Sequence, residues 1–220
     1  GTDEHGRCIL SRVIYGARIS TNVGIVAVLI AGTGGVTLGL IAGYWRKADA
    51  IIMRIIDLLM AFPFLLLAIA IVSILGTGLR NTMIAVGIGG ISGYTRVTRA
   101  AVLSVRESEY VEAAHALGYS NKRIMFRHIL PNVTAPIIVM MTLTLGSSIL
   151  GAAALSFLGL GAQPPQPEWG FMLNTARGFI RSAWWYSIFP GLAIMGMVLG
   201  FNLLGDGLRD ALDPRLKNMM

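Results

Sequence analysis

Residues 128–167 read HILPNVTAPIIVMMTLTLGSSILGAAALSFLGLGAQPPQP and contain no aspartate, glutamate, lysine or arginine. A run of this length is about twice the roughly 20 apolar residues that a helix needs to cross a lipid bilayer. A helix of a soluble protein carries a polar face every few residues, which this run lacks. The segment therefore predicts a membrane-spanning helix followed by a loop.

The rest of the chain also alternates long uncharged runs with short segments that carry the charged residues. Of its 220 residues 55% are hydrophobic and 13% are charged, against about 25% charged residues in a typical soluble domain. Further uncharged runs cover residues 19–45, 58–79, 81–95 and 182–205. This pattern excludes a soluble globular enzyme and intrinsic disorder, and the single cysteine, Cys8, excludes a disulfide scaffold. We predict an all-α, polytopic membrane bundle.

Five spans account for the uncharged runs. The third run reaches spanning length only if Arg96 and Arg99 extend to the membrane surface and bring the span to residue 104. The fourth span would occupy the first part of the opening segment, and its remainder would begin an outer loop. The predicted spans are residues 22–44, 58–76, 81–104, 133–155 and 184–204.

The lysines and arginines between these spans indicate the orientation of the chain. Six lie on one side and twelve on the other, so the positive-inside rule makes the second side cytoplasmic. The N-terminus is then outside and the C-terminus inside. This bias explains the net charge of +7 without nucleic-acid binding. The predicted regions are an external segment 1–21, a transmembrane domain 22–204 with an inner loop 105–131 and an outer loop 161–183, and a cytoplasmic tail 205–220.

Shorter features predict how the spans pack and bend. The isoleucines of residues 50–57 fall on one helical face, which suits either a helix along the inner membrane surface or an extension of the second span. Pro63 predicts a kink in that span. Glycines crowd the first span, as at Gly35 and Gly39, and also the third, which favours close helix packing over flexible hinges.

The inner loop predicts a helix–turn–helix protrusion. Residues 107–117 suit a helix with Tyr110, Ala113, Ala114 and Leu117 on one stripe. Gly118 is placed to stop that helix and Ser120 to cap a second one. Pro131 would then end the second helix or set the bend into the next span. From these residues alone, a solvated loop and a docking protrusion remain equally open.

The inner loop contains residues that resemble the signature of a known protein family. Glu112-Ala113-Ala114, three residues, Gly118, then Leu130-Pro131 resemble the EAA signature of membrane subunits of bacterial ATP-binding-cassette (ABC) importers. The signature's isoleucine two positions before the leucine is replaced here by His128. Residues 1–20, 154–173 and 201–217 resemble the C-type subunit of dipeptide/oligopeptide permeases, and this resemblance covers essentially the whole chain.

The resemblance implies a type I importer (MetI-like) bundle that moves peptides across the cytoplasmic membrane of a bacterium or archaeon. It implies three kinds of protein partner: two ABC ATPases, a homologous second permease and an external solute-binding protein. The EAA residues would couple this chain to an ATPase. Members of the subfamily have six spans, so an earlier span is expected before Gly1, which also explains how a polar N-terminus reaches the outside. Cys8 stands where relatives usually have aspartate, and we expect a buried or inert thiol.

ATP hydrolysis is expected on another polypeptide. None of the three lysines follows a glycine, so a Walker A loop is impossible. The scattered histidines and one cysteine predict no metal set, and no catalytic residues or cofactor are expected in this chain; ATP and Mg²⁺ would bind the partners. Nickel or glutathione are alternative cargoes. An ion-coupled carrier and an intramembrane enzyme are disfavoured because no charge is predicted at mid-span.

Overall fold

A computed structural model describes residues 1–212 of the chain, and this part is built from helices without a named β-strand. The predicted end of the tail, residues 213–220, lies outside the described residues. The helices are α1 (Ile9–Tyr44), α2 (Arg46–Met60), α3 (Phe64–Leu75), α4 (Leu79–Arg106), α5 (Glu109–Ala116), α6 (Asn121–Ile124), α7 (Leu130–Phe157), α8 (Trp169–Ala176) and α9 (Trp185–Leu212), with a π-helical turn at Met125–Ile129 and a 3₁₀ turn at Arg177–Phe179.

Three helices in the described residues are long and apolar enough to cross a membrane. They are α1, the continuous helix from Asn121 to Phe157, and α9. The pair α2 and α3 meets the same test only if taken as one broken span, because its two halves are bent by 95°. Five spans are therefore not confirmed, although α4, with 28 residues, is about 42 Å long and could cross.

The predicted span 58–76 is wrong as a single helix. Pro63 has an extended conformation and stands immediately before α3, because proline lacks an N–H and disfavours the helical conformation in the residue before it. The 12 residues of α3 extend only about 18 Å. Residues 50–57 belong to α2, which is not collinear with α3.

The arginines of α4 form ion pairs that the sequence did not predict. Arg96 donates to Asp57 over 2.5 Å, and Arg99 donates to both carboxylate oxygens of Asp49 over 2.5 and 2.6 Å. Both aspartates lie on α2. The two arginines are therefore held against α2 by charge-assisted hydrogen bonds.

Close packing of α1 on α4 confirms the role expected for the glycines. A Cβ atom on Gly35 would lie 2.3 Å from Tyr94 Cβ, and one on Gly39 would lie 2.6 Å from Thr98 Cβ. Gly43 repeats the arrangement one turn later against Val102, at 2.6 Å. Since each glycine faces a residue one turn further along α4, the two helices approach at a distance that only glycine permits.

The two predicted external segments are more ordered than expected. Helix α1 begins at Ile9, so much of the segment 1–21 is already helical. Cys8 is exposed at the N-cap of α1, so the buried alternative for its thiol is wrong, and an inert thiol stays a prediction. The loop 161–183 contains α8, whose Trp169 is buried and donates from Nε1 to the Val13 carbonyl over 2.9 Å. Trp169 therefore packs against α1 and is not available as an interfacial anchor.

Candidate functional site

The protrusion consists of α5, a glycine turn and α6. Gly118 has φ +74°, and its N–H donates to the His115 carbonyl over 2.9 Å while the next N–H, from Tyr119, reaches the Ala114 carbonyl over 3.2 Å. These bonds close the C-terminus of α5, as sequence reasoning expected of this glycine. Ser120 then caps α6 by accepting a hydrogen bond from the Arg123 N–H over 3.4 Å.

The stripe predicted on α5 is split between a buried face and an exposed face. Val111 and Ala114 are buried in a cluster with side chains of α1, α4 and α7. Ala113 is exposed, and so is Leu117, with 72% of its surface accessible. Ala114 packs inside the chain together with Val111, because residues three apart on a helix lie on the same face. Only part of the stripe is free to meet another protein.

The site residues of the signature occupy different environments. Glu112 and Ala113 lie on the exposed side of α5, and Gly118 forms the turn. Leu130 is partly buried against the same cluster as Ala114, while Pro131 is exposed. The signature therefore contains an outward-facing pair and a set of residues that shape and seat the protrusion.

A tyrosine at the end of α1 joins both halves of the protrusion. The Tyr44 hydroxyl donates to Asn121 Oδ1 on α6 over 2.8 Å and lies 3.4 Å from His115 Nε2 on α5. The ring of Tyr44 also stacks on His115, with 6.4 Å between ring centroids. Arg106 donates to the carbonyls of Gly43 and Tyr44 over 3.1 and 3.3 Å. The end of α1 is thus fixed to α4, α5 and α6 at once.

The second half of the protrusion continues into α7. Residues 121–157 form one helix, so the alternative in which Pro131 ends it is wrong. The π turn precedes the proline, and within it the Leu130 N–H bonds to the carbonyl of Met125, five residues back. Such a turn changes the hydrogen-bond register just before the residue that has no N–H to donate. His128, which replaces the signature isoleucine, stacks on Tyr119 with 5.8 Å between centroids.

Charge is separated across the exposed surface of the protrusion. Three glutamates lie on the α5 side, and three cations lie on the α6 side. None of the six forms an ion pair within residues 1–212, so all can interact with a partner through charge-assisted bonds. The residues are Glu107, Glu109, Glu112, Lys122, Arg123 and Arg127.

A trough runs along α4 and α7 on the membrane part of the molecule. One concavity of about 310 Å³ lies beside Phe64 and Tyr94, and a second of about 780 Å³ reaches Arg209; Met140 and Thr144 line both. The Tyr94 hydroxyl is hydrogen-bonded to that of Thr144. The first concavity is lined by glycines, hydroxyl groups and apolar side chains without a charged residue.

The described N-terminal residues bring together acidic and imidazole groups that sequence reasoning treated as scattered. Oxygen or nitrogen atoms of Asp3, Glu4 and His5 lie within 4.8 Å of one another. These groups already have partners: Asp3 accepts from Arg7 Nε over 2.7 Å, and Glu4 accepts from the Tyr186 hydroxyl over 2.6 Å. Burial would raise the pKa of Asp3, but hydrogen bonds from Arg7 and His5 lower it. The arrangement fixes the residues before α1 against Tyr186 of α9.

With this geometry in view, the comparisons with known proteins decide the family. Residues 35–218 match the family described as binding-protein-dependent transport system inner membrane component. The chain belongs to this family. The permease is 57% identical over 219 residues to a dipeptide transport system permease protein of Alkalihalophilus pseudofirmus, a match that covers 99% of this chain and 72% of the relative.

Other relatives are transport permeases too, but their names give different cargoes. A di/tripeptide transport system permease protein of Pseudomonas aeruginosa is 54% identical, over 99% of this chain and 72% of its own length. A glutathione transport system permease protein of Pectobacterium atrosepticum is 52% identical, over 99% and 73%. All are transport permeases, so the permease is identified as a transport subunit and no enzymatic activity is indicated by these relatives.

Solved structures establish the fold. A chain of the MetNI methionine ABC transporter superimposes with a TM-score of 0.77 at 18% identity, covering 96% of the permease and all of that chain. A chain of an amino acid ABC transporter gives 0.63 at 17% identity, covering 94% and 95%. The all-α, MetI-like bundle expected from the sequence is confirmed.

Sequence reasoning missed two features of the site. The Asp49–Arg99 ion pair joins residues 50 positions apart, and the Tyr44 contacts span 71 and 77 positions. The available signal for the ion pair was the presence of two aspartates in the α2 segment and of two arginines, Arg96 and Arg99, in the following predicted span. No local pattern marks Tyr44, because its partners become neighbours only once α5 and α6 fold back on α1.

Proposed function

We propose that this permease forms part of the transmembrane pathway of an ATP-driven importer for di- or oligopeptides in a cytoplasmic membrane. The observation that carries the proposal is the exposed Glu112–Ala113 surface, presented by a Gly118 turn on a chain of this transport family. The peptide cargo is supported by the dipeptide and di/tripeptide permeases among its relatives. Its partners are two ABC ATPases, a homologous second permease and an external solute-binding protein.

The protrusion transmits the work of the ATPase into the membrane helices. Glu112 binds a cationic group in a cleft of the ATPase, Ala113 permits close approach, and Gly118 sets the angle of α6. Closure of two ATPases around ATP and Mg²⁺ then displaces α5. Because Tyr44 and Arg106 tie α5, α6 and α4 to the end of α1, the helices move as a body and the pathway alternates between its inner and outer openings.

The membrane orientation follows from the same arrangement. The protrusion faces the cytoplasm, where ATP is available, and the N-terminal end of α1 faces outward. The positive-inside count, to which the three cations of the protrusion contribute, supports this orientation. Helix α8 and its preceding loop then lie at the outer side, where a solute-binding protein delivers its cargo.

The trough between α4 and α7 suits a peptide better than a bare metal ion. The first concavity offers hydroxyl groups and glycine backbone but no carboxylate, imidazole or thiol, which are the ligands that a transition metal prefers. Glutathione remains the second candidate because it is itself a short peptide and a glutathione permease is 52% identical. A secondary carrier is less well supported, since Arg96 and Arg99 are already paired with aspartates.

Substitution of Gly118 in the complete importer tests the proposal. Gly118→Val places a β-branched residue at φ +74°, a conformation that costs roughly 1–3 kcal/mol, whereas Gly118→Asn is the matched control because asparagine tolerates it. With the binding protein and ATPases in proteoliposomes, Gly118→Val and Glu112→Lys should lower dipeptide uptake while membrane insertion stays unchanged. Unchanged uptake in both variants would contradict the coupling role, and proton-driven uptake by the chain alone would indicate a secondary carrier.

A further inference from the structure

Helix α2 has a buried side and an exposed side. Ile56 is fully buried against the rest of the molecule. On the exposed side, Ile51, Ile55 and Leu58 form an apolar strip with 66%, 54% and 63% of their surfaces exposed, and spacings of four and three residues place them on one helical face. The exposed cations Lys47 and Arg54 lie along the edge of this strip, each four residues before one of its members, and Arg46 is exposed on another side of the helix.

The two aspartates of α2 are paired with arginines of α4, so they do not neutralise the cations on the exposed side of α2. Asp49 is bonded to Arg99 and Asp57 to Arg96, both on α4. Each pair neutralises one aspartate with an arginine from outside α2. The three cations of α2 form no ion pair within residues 1–212, so the exposed side of the helix is positive next to its apolar strip.

The ends of α2 fix its direction. A single residue, the exposed Trp45, separates α2 from α1, and the break at Pro63 turns the chain by 95° into α3. The ion pairs to α4 hold the helix in this position. An amphipathic helix turned sharply away from a membrane helix, with a tryptophan at its start and free cations beside an apolar strip, has the features of a helix lying in a membrane interface.

We propose that α2 lies in the inner leaflet of the membrane and binds anionic phospholipids. The strip of Ile51, Ile55 and Leu58 enters the acyl region, about 5–10 Å below the headgroup boundary. Lys47 and Arg54 contact phosphate groups at the surface, where cations next to an anionic leaflet are favoured. A protein partner over this face would need to supply acidic groups for three cations as well as an apolar surface, whereas an anionic leaflet supplies both together.

Site-directed spin labelling of the assembled importer tests this inference. In a Cys8→Ser background, nitroxides are attached to Ile51→Cys, Ile55→Cys or Leu58→Cys, with Arg46→Cys and Ala50→Cys, which are exposed on another side of α2, as controls, in bilayers containing phosphatidylglycerol. The three strip positions should collide more with oxygen than with a water-soluble nickel chelate, and the controls should show the reverse. A strip that favours the chelate, or that is shielded from both reagents as under a protein, would overturn the proposal.

A second measurement tests the preference for anionic lipid. Replacing phosphatidylglycerol by a zwitterionic lipid should shift the Ile55 nitroxide toward the water-soluble reagent. The double substitution Lys47→Gln and Arg54→Gln should abolish this dependence on lipid composition. An Ile55 nitroxide that responds equally in both lipids before the substitution would exclude binding of anionic headgroups.

Discussion

At the residue scale, Glu168 shows how one buried carboxyl group orders the segment that contains α8. Its side chain is only 2% exposed, and it caps α8 by accepting from the N–H groups of Gly170 and Phe171 over 2.9 and 2.8 Å. Burial raises the pKa of Glu168, and these hydrogen bonds oppose the rise only in part. The carboxyl group therefore holds its proton to higher pH in the folded chain than in the unfolded one.

This shift predicts a pH-dependent stability. Because the folded state binds more protons, the contribution of Glu168 is complete below its ordinary pKa and is lost as pH rises through the raised value. Glu168→Gln, which cannot ionise, should remove this dependence. In thermal unfolding of the full chain in detergent, wild type should lose stability relative to Glu168→Gln as pH increases from about 4 to 8. Parallel curves would contradict a raised pKa.

The exposed Cys8 is a second residue whose position affects a helix, because it stands at the start of α1. It is the N-cap of α1, where no side-chain capping bond is present. Aspartate, the residue expected at this place in the subfamily, is among the strongest N-caps because its carboxylate accepts from the first free N–H groups. The departure from the family pattern therefore falls on a helix start, and nothing else in the structure explains why cysteine replaces it.

At the element scale, the α1–α4 contact determines whether the membrane helices can move as one body. Gly39→Ala would place a methyl group 2.6 Å from Thr98 Cβ and 2.8 Å from the Thr95 carbonyl. Since a backbone atom cannot rotate away, we expect a loss of about 1–3 kcal/mol in stability. Gly200→Ala in α9 is the control because its Cβ meets nothing within 4 Å. Thermal unfolding of both variants measures the difference, and equal stabilities would refute the close contact.

The Tyr44 contacts predict a separable effect on coupling. Tyr44→Phe keeps the ring and removes the hydroxyl that bridges His115 and Asn121, weakening the anchor by about 0.5–1.5 kcal/mol. Peptide transported per ATP hydrolysed by the complete importer should fall, while the ATPases remain active. Tyr15→Phe, at an exposed position, should leave this ratio unchanged. A ratio equal to that of wild type in Tyr44→Phe would show that the bridge does not carry motion.

The elements also show what the sequence could and could not predict. Uncharged runs, Gly118 and Ser120 gave the long helices and the glycine turn, because each depends on local chemistry. The signature also placed the protrusion correctly on the chain. Pro63 likewise predicted a kink, which the structure shows as a bend of 95°, whereas the helix α8 within the outer loop and the Asp49–Arg99 pair depend on contacts between distant segments. Composition and spacing carry no record of such contacts.

At the scale of the whole molecule, the described contacts form a continuous connection from the protrusion to the membrane helices. Val111 and Ala114 seat α5 on a cluster shared by α1, α4 and α7. Tyr44 joins α5 and α6 to the end of α1, and the glycines of α1 lock it onto α4. A displacement applied to the exposed side of α5 is therefore passed to tightly packed helices, since close-packed interiors transmit strain.

Photocross-linking from Ala113 tests the central claim most directly. In a Cys8→Ser background, Ala113→Cys carries a benzophenone maleimide in the assembled importer, and Arg181→Cys serves as the control on the predicted outer side. Our account predicts a cross-link from position 113 to an ATPase subunit and none from position 181. Absence of that cross-link, or labelling of position 113 by an impermeant maleimide added only from outside, would contradict it.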